Sequence, residues 1–86
     1  MNWNQLQYVI TIAEEKSITK AAQKLYISQP SLSASIRRIE ARIGAPIFDR
    51  STTPISLTEC GEEYIACVKQ ILSIQNGFEN YLNLYK

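Results

Sequence analysis

Eighty-six residues, 9.8 kDa in all, leave room for one small domain. A hydrophobic share of 45% and a charged share of 20% exclude intrinsic disorder, and the lack of histidine with only two cysteines, Cys60 and Cys67, excludes a Cys/His zinc finger, a disulfide scaffold and most hydrolase and metalloenzyme chemistry. The formal charge of +1 conceals a segregation: residues 16–56 carry seven lysines and arginines against Glu40 and Asp49, a net +5, between flanks of −2 each.

A basic middle of this kind points to a face for a polyanion; the plainer reading is a solvated surface with chance clustering. No apolar run approaches the ~20 residues of a membrane span, and Asn2-Trp3-Asn4-Gln5 behind Met1 carries no basic or apolar leader. A soluble, cytoplasmic protein with no membrane contact is expected. No cofactor and no metal are expected on this chain.

Asn2, with Gln5 three residues later, forms a capping box for a first helix. Leu6, Val9, Ile10 and Ala13 follow at helical spacing, with Ile12 widening the stripe, to an end near Glu15-Lys16. Trp3 is expected to anchor the core. Ser17 or Thr19 caps a short second helix, Lys20 to Leu25, whose Ala21-Ala22 pair permits close approach to a neighbour. The Ser17-x-x-Lys20 spacing matches penicillin-recognising enzymes, yet here it reads as a helix cap with a basic neighbour. After a turn at Tyr26-Ile27, Ser28 caps a third helix with Pro30 in its first turn, running to about Ile43 and stopping at Gly44.

Pro46-Ile47-Phe48 and Ile55-Ser56-Leu57 read as two short strands of a hairpin whose tip is Ser51-Thr52-Thr53-Pro54. Thr58 then caps a long final helix, with Glu59, Glu62 and Glu63 complementing its dipole. It continues to about Leu84, with Gly77 a weak point costing ~1 kcal/mol.

The third helix carries the most chemistry. Leu32, Ile36, Ile39 and Ile43 fall in one stripe that must face the core. Opposite lie Pro30, Ala34, Arg37, Arg38 and Ala41, flanked by Ser31 and Ser33. Small residues permit close approach to a major groove, hydroxyls and amides reach base edges or phosphates, and arginines read guanine or grip the backbone. The second helix, a short turn and the third helix have the dimensions of a helix-turn-helix. A plain three-helix bundle with a polar outer face is the alternative. At the hairpin tip, Arg50 with Ser51, Thr52 and Thr53 suits a phosphate backbone or a minor groove, although the tip has no lysine or arginine; a simple surface turn fits equally.

In the final helix Tyr64, Val68, Ile71, Gln75, Phe78, Leu82 and Tyr85 form a 4-3 heptad seam over ~40 Å. That is longer than a chain of this size can cover, so the partner is the same helix of a second copy. Packing onto the first helix alone accounts only for the first two turns. Cys60 and Cys67, seven apart on one helix, cannot pair with each other and are expected to be buried packing residues.

Ala21-Ala22, Leu25, Ser28-Gln29-Pro30-Ser31-Leu32-Ser33, Ile36, Ile39-Glu40, Ile43-Gly44, Ile47-Phe48-Asp49-Arg50 and Pro54 through Gly61 occur in order. This array closely resembles the N-terminal winged helix-turn-helix of LysR-type transcriptional regulators, over nearly the whole chain. The resemblance implies a mainly α fold: a winged helix-turn-helix at 1–58, with the helix-turn-helix at about 18–43, then a linker and dimerisation helix at 59–86. It further implies a bacterial regulator binding a dyad-symmetric promoter site in double-stranded DNA, as a homodimer, with 28–43 as recognition helix.

By the same resemblance Gln29, Pro30, Ser33 and Ala34 occupy base-facing positions. Thr19, Lys20, Ser28, Ser31, Arg37, Arg38, Arg50, Thr52 and Thr53 occupy phosphate and wing positions. Family members often carry arginine where this chain has Ala34 and a basic residue where it has Thr53, which puts minor-groove insertion in question. Nothing here matches the effector-binding domain that normally follows, so the chain is expected to be a DNA-binding fragment, with any small-molecule inducer and any higher oligomer belonging to a full-length protein. A protein-interaction module using the long helix is the rival reading. A small enzyme would need groups this chain lacks.

Overall fold

The computed structural model describes residues 3–85. Leu6, Val9 and Ile12, spaced for one helical face, are the buried residues that fix α1 (Trp3–Glu15), and the Thr11 hydroxyl beside them donates to the Gln7 carbonyl at 2.8 Å. α1 ends where Lys16 turns left-handed at φ 55°. The expected cap at Asn2 lies outside the described residues. Trp3 is not a core anchor: it is 46% exposed, because the core begins one turn later at Leu6.

Ser17, rather than Thr19, caps α2 (Ile18–Lys24), its hydroxyl accepting the Lys20 N–H at 3.1 Å, so this helix starts two residues earlier than expected. Ala21 and Ala22 are wholly buried, and only side chains this small allow α2 to lie against both α1 and α3. Leu25 to Ser28 make the turn, with Tyr26 left-handed at φ 59°.

α3 (Gln29–Ile43) begins at the Ser28 cap, whose hydroxyl accepts the Ser31 N–H, with Pro30 in the first turn. It stops at Gly44, whose φ of 86° is cheap only for glycine and whose N–H reaches the Glu40 carbonyl. Leu32, Ile36 and Ile39 are buried as the stripe requires, but Ile43 is 38% exposed. As the last residue of α3 it stands at the rim of the core rather than in it.

β1 (Phe48–Asp49) and β2 (Ser56–Leu57) pair antiparallel, Phe48 opposite Leu57 and Asp49 opposite Ser56. Pro46, Ile47 and Ile55 stay outside this ladder. Ile47 has other partners: its N–H donates to the Glu40 carboxylate at 2.8 Å and its carbonyl accepts from the Thr58 N–H at 3.0 Å.

Thr58 starts α4 (Glu59–Tyr85), its hydroxyl accepting the Gly61 N–H and donating to the Pro46 carbonyl. Gly61 is obligatory for a steric reason, since a Cβ there would overlap the Ile47 carbonyl oxygen. α4 packs against α1 and β2, and Ile65 closes the core formed by α1, α2, α3 and the hairpin base. The cysteines are not buried packing residues: Cys60 is half-buried, Cys67 is exposed, and both thiols are free. Each lies to one side of the buried line Gly61–Ile65–Val68, which faces the core with Tyr64 packed beside it. The 27 residues of α4 give the described chain its 47 Å long axis. None of the helices is long and apolar enough to cross a membrane.

Candidate nucleic-acid interface

The outer face of α3 presents what its spacing promised. Pro30, Ala34 and Ala41 run exposed down its midline, and Arg37 and Arg38 stand exposed on either side. Neither arginine forms an ion pair among the described residues; Arg38 rests a guanidinium nitrogen 3.2 Å from the Ser35 hydroxyl. At the N-terminal end the Gln29 side-chain amide donates to the Ser33 hydroxyl at 2.9 Å, tying two of the four candidate base-facing residues along one edge. Ser28 and Ser31 are likewise bonded to each other, hydroxyl to hydroxyl at 2.8 Å.

A second surface lies between the start of α2 and the hairpin. Lys16, Thr19 and Lys20 on one side, and Arg50, Thr52 and Thr53 on the other, border an open groove of about 600 Å³ floored by Ile18, Pro54 and Ile55. The geometry assembles the cations there. Its hydroxyls are another matter: Thr52 Oγ1 lies 3.2 Å from the Asp49 carbonyl, 2.9 Å from that of Pro54 and 2.9 Å from Ser56 Oγ, so it braces the turn from within. Asp49 tightens the same turn by accepting both the N–H and the hydroxyl of Ser51, bonds that hold its carboxyl below the ordinary value.

Arg50 is not a free cation. Its guanidinium faces the Glu40 carboxylate through two contacts, 3.2 and 3.3 Å, while Glu40 also accepts the N–H groups of Ile47 and Phe48. Burial alone would push the Glu40 carboxyl up. The Arg50 hydrogen bond, the two backbone N–H groups and the guanidinium charge outweigh it, leaving the carboxyl below its ordinary 4.5. One side chain of α3 thus holds the hairpin in place beside the outer face.

On α4 the expected seam is divided between the interior and the surface, where Ile71, Phe78 and Tyr85 are exposed. Val68 is 1% exposed within a single chain, and Tyr64 is half-buried, its phenol raised by that burial. Val68 already belongs to the interior and presents nothing to a second copy; Gln75 and Leu82 are half-buried. The exposed apolar residues are Ile71, Ile74, Phe78, Tyr81, Leu84 and Tyr85, with Phe78, Tyr81 and Tyr85 stacked in succession. Among the described residues no group of acidic or cysteine side chains could hold a metal ion.

The family model for the bacterial regulatory helix-turn-helix protein, lysR family, matches residues 3–62. The chain belongs to the LysR family. Among LysR-type relatives it is 43% identical over 72 residues to the uncharacterized HTH-type transcriptional regulator YybE of Bacillus subtilis, covering 84% of this chain and 25% of that one. It is 40% identical over 77 residues to the HTH-type transcriptional regulator BudR of Klebsiella aerogenes, covering 90% and 54%. The chain thus spans between a quarter and about half the length of these two curated relatives.

Its fold is the winged helix-turn-helix of solved LysR-type DNA-binding domains. The BenM domain in complex with benA site 1 DNA superposes with a TM-score of 0.91 at 30% identity, each chain covered in full. The CbnR domain in complex with DNA gives 0.85 at 28% identity, with 99% of this chain and 98% of that one covered.

Within this LysR domain, three features escaped the sequence reading. Lys16 lines the groove, which only the hairpin's placement reveals. Glu40 organises the hairpin, a role betrayed in sequence by no more than an acid in a basic tract. Ile74 and Tyr81 belong to a parallel 4-3 line of exposed positions, Cys67–Ile71–Ile74–Phe78–Tyr81–Tyr85, beside the heptad line of Tyr64 and Val68.

Proposed function

We propose that this chain is the DNA-binding part of a transcriptional regulator that recognises a dyad-symmetric site as a homodimer. The carrying observation is the outer face of α3: small residues on the midline and, on either flank, exposed guanidinium groups at Arg37 and Arg38 that form no ion pair among the described residues. A helix so dressed fits a major groove, where Pro30 and Ala34 offer methyl and methylene contacts and Gln29 and Ser33 offer hydrogen bonds to base edges. Ser28, Ser31, Thr19, Lys20, Arg37 and Arg38 serve the phosphates, and Arg50 does so from behind its Glu40 partner. Thr53, exposed like the rest of a tip without cations, rests on the backbone rather than entering the minor groove. That BenM and CbnR domains of the same shape were solved with DNA supports this reading.

The second copy binds through the exposed side of α4. A stripe of two isoleucines and three aromatics in water is costly, at ~25 cal/mol per Å² of apolar surface, and the same stripe on a second chain is its natural cover. An inducer and any assembly beyond the dimer belong to segments outside these residues, and the setting is the bacterial cytoplasm.

A gel-shift titration tests the face. Arg37→Ala and Arg38→Ala each weaken binding to specific and random duplexes alike and flatten the salt dependence. Unchanged affinity in both variants would remove α3 from the interface.

A further inference from the structure

Counted around α3 at 100° per residue, the core residues Leu32, Ile36 and Ile39 define an inward direction, and the midline opposite them passes through Ala34 and Ala41. Arg37 lies about 50° to one side of that midline, the side on which Glu40 holds Arg50 and the hairpin. Arg38 lies about 50° to the other side, and Arg42, one turn on, about 90°. That second side faces the N-terminal end of α1: Gln5, Arg38, Ile39 and Arg42 together border a shallow depression of about 210 Å³. Arg42 is exposed and has no acidic partner among the described residues.

A major groove about 12 Å wide is nearly filled by a helix 10–12 Å across, so both edges of such a helix face phosphates, one strand each. The arginines of α3 are divided between those edges. We infer that Arg42, with Arg38 and the adjoining end of α1 at Gln5, forms a second phosphate-binding edge. It grips the strand opposite to the one served by Arg37, Lys20 and the hairpin. Arg38 and Arg42 stand one turn apart, their Cβ atoms about 6 Å from each other, so their long side chains can each reach a phosphate of its own along one strand. An acidic protein surface would need no second rail, and the placement of Arg37 and Arg38 astride one midline favours a duplex.

This inference rests on the DNA-binding reading above, and its test separates the two. The Arg42 side chain makes no hydrogen bond or ion pair among the described residues, so Arg42→Ala shifts the melting temperature by no more than a few degrees. In salt titrations of duplex binding, Arg42→Ala lowers low-salt affinity roughly tenfold and reduces the slope of log K against log salt by about one, irrespective of base sequence. Ethylation interference adds the geometry: Arg42→Ala and Arg38→Ala lose sensitivity at phosphates of one strand edge, and Lys20→Ala at those of the other. Unchanged affinity and slope in Arg42→Ala, with Arg37→Ala weakened, would overturn the second edge while leaving DNA binding intact. Loss of the same phosphates in Arg42→Ala and Lys20→Ala would overturn it as well. No effect from any of the four variants would remove the DNA-binding reading itself.

Discussion

Replacing Glu40 with alanine leaves the N–H groups of Ile47 and Phe48, both buried residues, without an acceptor and strands the Arg50 guanidinium. Two unsatisfied donors put the expected loss on the order of 2 kcal/mol, visible as a lowered thermal midpoint. The pH dependence follows from the depressed carboxyl. The stabilisation from Glu40 is complete above its unfolded value near 4.5 and is lost as pH falls through the lower folded value, so wild type and Glu40→Gln converge in acid melts and separate toward neutrality. Curves that stay parallel across that window would show the carboxylate charge to be unimportant. Gly61→Ala acts through sterics instead: α4 must move off the Ile47 carbonyl, costing about 1–3 kcal/mol in a denaturant titration. These residues stand close to one another around Ile47, and neither role is marked by local spacing, because each depends on a segment brought in from elsewhere in the chain.

Elements, by contrast, were legible wherever a cap or a period marks them. Ser28, Pro30 and Gly44 bracket α3 in the sequence as they do in the structure. The strands were overextended because hydrophobic character alone cannot tell that the Ile47 N–H goes to a carboxylate rather than to a partner strand. In α4 the helical period was right, but one heptad line spans both interior and exterior: Tyr64 and Val68 turn inward while Ile71, Phe78 and Tyr85 are exposed. Gly61, Ile65 and Val68 serve the interior, while the line from Ile71 to Tyr85 lies well round the helix from them. The two lines predict different outcomes. Ile74→Asp with Phe78→Asp yields a folded monomer in analytical ultracentrifugation, whereas Val68→Asp unfolds the chain, seen as lost helicity in circular dichroism. A dimer surviving the double change would put the subunit contact elsewhere. Of the candidate DNA-facing residues, those on α3 were readable because one helix dictates their facing. Lys16 was not, because its position depends on where the hairpin settles.

At the scale of the whole molecule, the proposed dimer, two copies joined through α4, would carry two α3 helices at a fixed separation. Selection from a random DNA pool should therefore return sites with dyad symmetry and one half-site spacing. Single half-sites alone would leave the dimer without a role in recognition. The same assembly ought to lose affinity steeply as salt rises, since most of its cations face outward around α3 and the groove. The Glu40 clasp has a mechanical consequence. Because one carboxylate bolts the hairpin to the second half of α3, the two cannot swing separately, and any partner that tilts α3 drags the hairpin through the same arc. The domain meets its target as a stamp rather than as a pair of fingers, and a change in the shape of either contact is felt at once by the other.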